Sequence, residues 1–137
     1  MGSSNIELEE LARLLKIDNF RGCFMRDQLK NMKCSEKESG IVNLETLKDR
    51  GSHWQMYYKD EKQKIFYSSF GDSPPKEVVD YLGPNIYTSD IEIQDFNEDT
   101  CGLICILIIY LLQEGNTFED IILELCKDPR KEIFEAS

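Results

Sequence analysis

Cys101-Gly102-Leu103-Ile104-Cys105-Ile106-Leu107-Ile108-Ile109-Tyr110-Leu111-Leu112 carries no charge before Glu114, and its reading decides the fold. A run that is apolar on every face of a helix has to be buried. It is too short to cross a bilayer, which takes roughly 18 or more apolar residues. The polar Asn97-Glu98-Asp99-Thr100 ahead of it reads as a loop ending in an N-cap, with Thr100 the cap. Cys101 then stands in the first turn of an inner helix, where free backbone N–H groups and the helix dipole favour a thiolate. The same residue also fits a small buried core position, so the rest of the chain has to distinguish the two.

The 137 residues are enough for one domain with a substantial core, and 1–137 is read as a single domain. A hydrophobic share of 41% with 31% charged residues is that of a soluble globular protein. The net charge of −10 repels phosphates, and Lys59, Lys62 and Lys64 are interleaved with Asp60 and Glu61. Nucleic-acid binding is therefore disfavoured. No stretch reads as a signal peptide or a transmembrane span, and no membrane role is expected. Ile6 stands where a myristoylation signal needs Ser or Thr. The five cysteines are odd in number and form no CxxC pair, so reduced intracellular thiols are expected, with no disulfide framework and no metal site.

From the N-terminus, Ser4-Asn5-Ile6-Glu7 has the form of a capping box. The apolar stripe Ile6, Leu8, Leu11, Leu14, Leu15 predicts a helix over 5–16. Phe20 to Asp27, with Gly22 inside it, reads as a loop with a short extended piece, and Asn31 to Ser39 as an exposed loop. Strands are predicted over 40–44, 52–58 (aromatic and alternating) and 64–67, the last two joined by a hairpin at Asp60-Glu61-Lys62-Gln63. Pro75 opens a short helix that Gly83-Pro84 stops. Asn85 to Ile93 reads as another strand. Gly115 ends the buried helix, and Thr117 caps a last amphipathic helix through Cys126. This order predicts an α+β fold: a central, mostly antiparallel sheet packed with helices, with Cys101 at the N-terminus of the buried one.

A cysteine nucleophile needs a base within hydrogen-bond reach. His53 is the single histidine of the chain and stands on the aromatic strand beside Trp54. By itself, a lone histidine beside aromatics is more often a satisfied packing residue than a base. Gln94 lies seven residues before Cys101, close enough to fold over the helix start and join the backbone N–H there as an oxyanion hole.

Gly51-Ser52-His53-Trp54, Phe66-Tyr67-Ser68-Ser69-Phe70-Gly71, Gln94 and Cys101-Gly102 together resemble, in order and spacing, the adenovirus-type maturation cysteine proteases. Their clan also holds the SUMO-specific proteases. Met1-Gly2-Ser3-Ser4 and the helix after it are similar to the adenovirus enzyme. The segments 24–29 and 40–44 are similar to relatives in virophages and virus-like transposons. The resemblance implies an adenain-like fold, Cys101 as nucleophile, His53 as base and then acid, and Gln94 as oxyanion donor. It places Trp54 against the imidazole, which a plain core aromatic also satisfies. It further implies a thiol protease of virion maturation that cuts viral capsid or core precursors beside glycines, in the virion and the reducing interior of the infected cell. Adenovirus enzymes use an activating peptide and DNA; a peptide is compatible with this chain, whereas its acidic balance speaks against DNA. No small-molecule cofactor is implied.

The chain departs from the family at Ser68, which occupies the position of the acid that orients the histidine. Three readings stay open: a Cys–His pair suffices, a nearby carboxylate such as Asp72 substitutes, or the site is impaired. Two other functions stay open on these grounds: a deconjugating protease for a ubiquitin-like modifier, and a non-catalytic binding module.

Overall fold

The computed structural model describes residues 5–43, 54–68, 71–91 and 101–126. Four strands, β1 (Phe20–Met25), β2 (Glu38–Asn43), β3 (Trp54–Lys59) and β4 (Lys64–Tyr67), form one sheet in the order β1-β2-β3-β4. The β1–β2 pairing is parallel and the other two are antiparallel. The hairpin between β3 and β4 closes with Asp60 N–H donating to the Gln63 carbonyl at 2.9 Å, and the Asp60 carboxylate caps the N–H groups of Lys62 and Gln63.

Helices lie on both faces. On one, α3 (Cys101–Gln113) packs with α1 (Asn5–Leu14) and α4 (Phe118–Cys126) over Ile41, Met56, Ile65 and Tyr67. On the other, a 3-10 turn (Arg26–Asn31) and α2 (Lys76–Leu82) pack Leu29, Val78 and Leu82 over Val42, Tyr57 and Phe66. The two sets alternate along each strand, as the pleat requires. The expected α+β architecture is therefore present. α3 ends where Gly115 N–H reaches the Leu112 carbonyl and Asn116 N–H reaches that of Leu111, a Schellman closure. Thr117 Oγ1 accepts from Asp120 N–H at the start of α4. No helix among the described residues is long and apolar enough to cross a membrane.

Four expectations are corrected. Phe20–Met25 is a full strand, because its backbone finds parallel partners on β2 that a glycine-containing sequence does not announce. Residues 31–39 are not all exposed loop: Arg26–Asn31 is the 3-10 turn, and Glu38 and Ser39 are buried in β2. Within 85–91 only Tyr87 pairs, through its N–H to the Lys64 carbonyl and its carbonyl to Phe66 N–H. Tyr87 and Ile91 are exposed and Ile86 is only half-buried, against the Val42–Phe66 side of the sheet, so the segment makes one bridge rather than a strand. α3 is not covered on every side either; Leu103 and Leu107, one turn apart, are 43% and 37% exposed. The expected caps Ser4 and Thr100 and the last two residues of the 85–93 strand lie outside the described residues.

Glu38 explains why a carboxylate can open a central strand. It is 3% exposed and surrounded by donors: Ser35 N–H at 2.7 Å, Tyr57 Oη at 2.5 Å, Tyr81 Oη at 2.7 Å and Arg21 Nη1 at 3.0 Å. Burial alone would raise its pKa, but the Ser35 N–H and the side-chain donors outweigh it, and the carboxyl sits below its ordinary value. Burial and the facing carboxylate push both phenols up, so they remain donors. The cluster ties β1, β2, β3 and α2 together. Because the folded pKa is the lower one, this stabilisation is present above the unfolded value of 4.5 and is lost as pH falls through the folded value. Urea unfolding at pH 7 should show Glu38→Gln less stable by about 1–3 kcal/mol. Across acid pH the variant's stability should fall less steeply than that of the wild type; parallel curves would contradict the assignment.

Candidate active site

Cys101 is the first residue of α3 and is 1% exposed. Its position is set from two sides. On one, Leu8 of α1 lies against Gly102: a Cβ there would be 2.8 Å from both Leu8 methyl carbons, so a larger residue would have to push the Leu8 side chain aside. On the other, α3 meets the first residue of β3. The Trp54 N–H donates to Cys101 Sγ at 3.4 Å, and the Trp54 carbonyl accepts from Cys105 Sγ at 3.4 Å. Two sulfurs one helical turn apart therefore hold the two ends of one residue's backbone.

The two hydrogen bonds have opposite sense, and this separates the cysteines chemically. Cys101 Sγ accepts, as a thiolate or a thiol can, at a helix start where the dipole also favours negative charge. Cys105 has to keep its proton to donate. Complete burial, with Cys101 beside it, holds its pKa well above the ordinary thiol value. The remaining thiols are also shifted up. Burial, with Glu9 adding to it, takes Cys23 to about 12. Burial raises Cys34, where Glu38 adds and Lys59 at 3.8 Å partly offsets, and burial raises Cys126.

Of the residues singled out from sequence, Cys101, Trp54 and Ser68 are described; His53 and Gln94 lie outside the described residues. The peptide group that bonds Cys101 is nevertheless the one joining His53 to Trp54, since the donating nitrogen is the next atom after the His53 carbonyl carbon. The Trp54 ring belongs to the core on the α3 face, as a core aromatic would. Ser68 follows β4, is 1% exposed, and donates to Asp72 Oδ2 at 3.2 Å. Tyr67 was not singled out. Its hydroxyl donates to the Ile91 carbonyl at 2.5 Å, three residues before Gln94, and its ring packs edge-on to Phe118 with centroids 5.8 Å apart. Cys105 stands four residues from Cys101, and this spacing is the sequence signal that puts both on one helix face. A cleft of about 570 Å³ beside the 3-10 turn and α2, lined by Leu29, Met32, Cys34 and Tyr81 among others, belongs to the opposite face of the sheet from Cys101.

No protein-family model matches the sequence, and no curated protein matches it. In fold the chain is similar to the crystal structure of the ASFV pS273R protease: TM-score 0.64 at 16% identity, over 87% of this chain and 60% of that one. A selenomethionine form of the same protease aligns with TM-score 0.48 at 15% identity, over 66% and 39%. The chain thus spans about three fifths of the length of the protease it matches. At this identity the likeness is one of fold.

With substoichiometric iodoacetamide at pH 7, peptide mapping should find the first label on Cys101 and Cys105 unmodified. Equal rates at Cys34 and Cys101, or first labelling of Cys105, would contradict the opposite roles of the two helix sulfurs.

Proposed function

We propose that the chain is a cysteine endopeptidase. The observation that carries this reading is the hydrogen bond to Cys101 Sγ at the start of α3 from the peptide that links His53 to Trp54. Covalent connectivity keeps the sole imidazole of the chain within one residue of that contact. The fold likeness to the ASFV pS273R protease supports the same reading.

In this mechanism Cys101 attacks the scissile carbonyl. A Sγ–C bond forms as the thiol proton passes to His53, and the C–N bond breaks as His53 returns that proton to the leaving amine. Water, deprotonated by His53, then cleaves the thioester and frees Cys101. Gln94 and the backbone N–H at Cys101 receive the oxyanion. Cys105 stays protonated and holds the Trp54 carbonyl. The substrates are viral capsid or core precursors cut beside glycine during virion maturation, in the virion and infected cell, with a peptide as possible activator; these specifics rest on the resemblance to adenovirus-type enzymes.

The test is cleavage of a fluorogenic Gly-Gly peptide, alongside a panel of ubiquitin-like modifier fusions. Cys101→Ala should abolish turnover with the fold retained by circular dichroism. His53→Ala should cost about 10²–10⁴-fold in kcat. Undiminished cleavage by Cys101→Ala would refute the reading, and cleavage of the fusions alone would replace precursor processing with deconjugation.

A further inference from the structure

We propose that the cleft on the far side of the sheet from Cys101 docks an acidic segment of a partner protein, one with an aliphatic or aromatic side chain between its carboxylates. The proposal stands on residues that the peptidase reading does not use and does not depend on it.

The cleft holds about 570 Å³ between two short walls, α2 on one side and the 3-10 turn with the residues after it on the other. Leu29, 2% exposed, and the half-buried Met32 give it an apolar lining that continues the core of this face. Both walls are fastened to the same cluster. On α2, the Tyr81 hydroxyl donates to Glu38 at 2.7 Å and accepts from Arg21 Nη1 at 3.2 Å. On the other wall, the Lys33 carbonyl accepts from Arg21 Nη1 at 2.8 Å. The opening is therefore held in place before anything enters it, and a preformed recess costs a ligand little ordering.

Charge decides what fits. Lys30 and Lys33 stand on one wall and Lys76 on the other, all three exposed. Among the described residues none of them forms an ion pair. Two carboxylates also line the cleft, and one of these, Glu77, faces Arg26 at 3.9 Å. That leaves three lysines against Asp80, in a chain whose net charge is −10. Unpaired ammonium groups around an apolar recess match carboxylates that flank an apolar side chain. A peptide also brings backbone N–H donors that Glu77 and Asp80 can accept from. A phosphodiester strand has no such donor in its backbone, and the overall charge repels it. The same net charge opposes the approach of a second copy. Because the cleft lies across the sheet from Cys101, a segment seated in it leaves the Cys101 face uncovered.

The test starts with a random peptide library displayed on phage and selected on the full chain. Selected sequences should be rich in Asp and Glu on both sides of a Leu, Ile or Phe. Made as fluorescein-labelled peptides, they should bind in fluorescence anisotropy and weaken as salt is raised. Lys30→Gln, Lys33→Gln and Lys76→Gln should each weaken binding by about twofold to fivefold. The triple variant should lose about tenfold or more. Asp80→Asn should tighten binding, and Lys62→Gln on the β3–β4 hairpin should leave it in place. These lysines are exposed, and an unchanged urea midpoint in each variant separates lost binding from lost fold. In NMR the bound peptide should shift the amides of Leu29, Met32 and Tyr81. Failure to enrich any peptide, a selected set without acidic excess, or affinity unchanged in the triple variant would overturn the proposal. Tighter binding of oligothymidylate than of any selected peptide would assign the cleft to nucleic acid instead. A dimer seen in sedimentation of the wild type and lost in the triple variant would assign it to a second copy.

Discussion

The arrangement of the molecule depends on one short junction, where the backbone of Trp54 is held between the sulfurs of Cys101 and Cys105. Buried backbone N–H and C=O groups have to find partners. At the end of β3 those partners come from a helix rather than a strand. A residue with one donor and one acceptor is matched by two sulfurs one turn apart, one accepting and the other donating. Weak as sulfur hydrogen bonds are, this match sets the phase of α3 on the sheet. Leu8 packs directly over Gly102 at the same helix start. The first sulfur is then left where helix N–H groups converge, and the second is confined to the protonated state by burial.

The opposite face of the sheet is organised by charge rather than by sulfur. Glu38 opens β2 with its carboxylate inside, and the Ser35 N–H, two tyrosines and an arginine make that burial tolerable. The donors come from β1, β3, α2 and the loop before β2, so the cluster fixes how α2 and the 3-10 turn close over Val42, Tyr57 and Phe66. A carboxylate at such a place would be destabilising with any one donor missing. The two faces divide the work: α3 supplies apolar bulk, and the Glu38 cluster supplies direction.

Much of this was readable along the chain because local chemistry and global fold agree. The apolar run from Cys101, the aromatic alternation before Lys59, the Asp60 hairpin and the Thr117 cap each became the element their pattern describes. The failures occurred where a partner far along the chain decided the outcome. Phe20–Met25 is a strand because β2 lies beside it, and Glu38 is buried because three side-chain donors distant in sequence reach it. The Asn85–Ile93 alternation yielded one bridge, since only Tyr87 meets β4. Around Cys101, Trp54 and Ser68 stand where the sequence named them, while the two-sulfur hold on Trp54 was not legible.

The chain's own chemistry determined that an uncharged thirteen-residue helix had to lie largely inside, that Cys101 would open it, and that one imidazole alone could serve it. These follow from hydropathy and composition, which act residue by residue. Only the folded structure decided which sulfur accepts and which donates, where Ser68 sends its proton, and how a carboxylate comes to rest inside β2. Those outcomes depend on hydrogen-bond partners separated by up to 51 residues along the chain, and such pairs exist only once packing has brought them within a few ångströms.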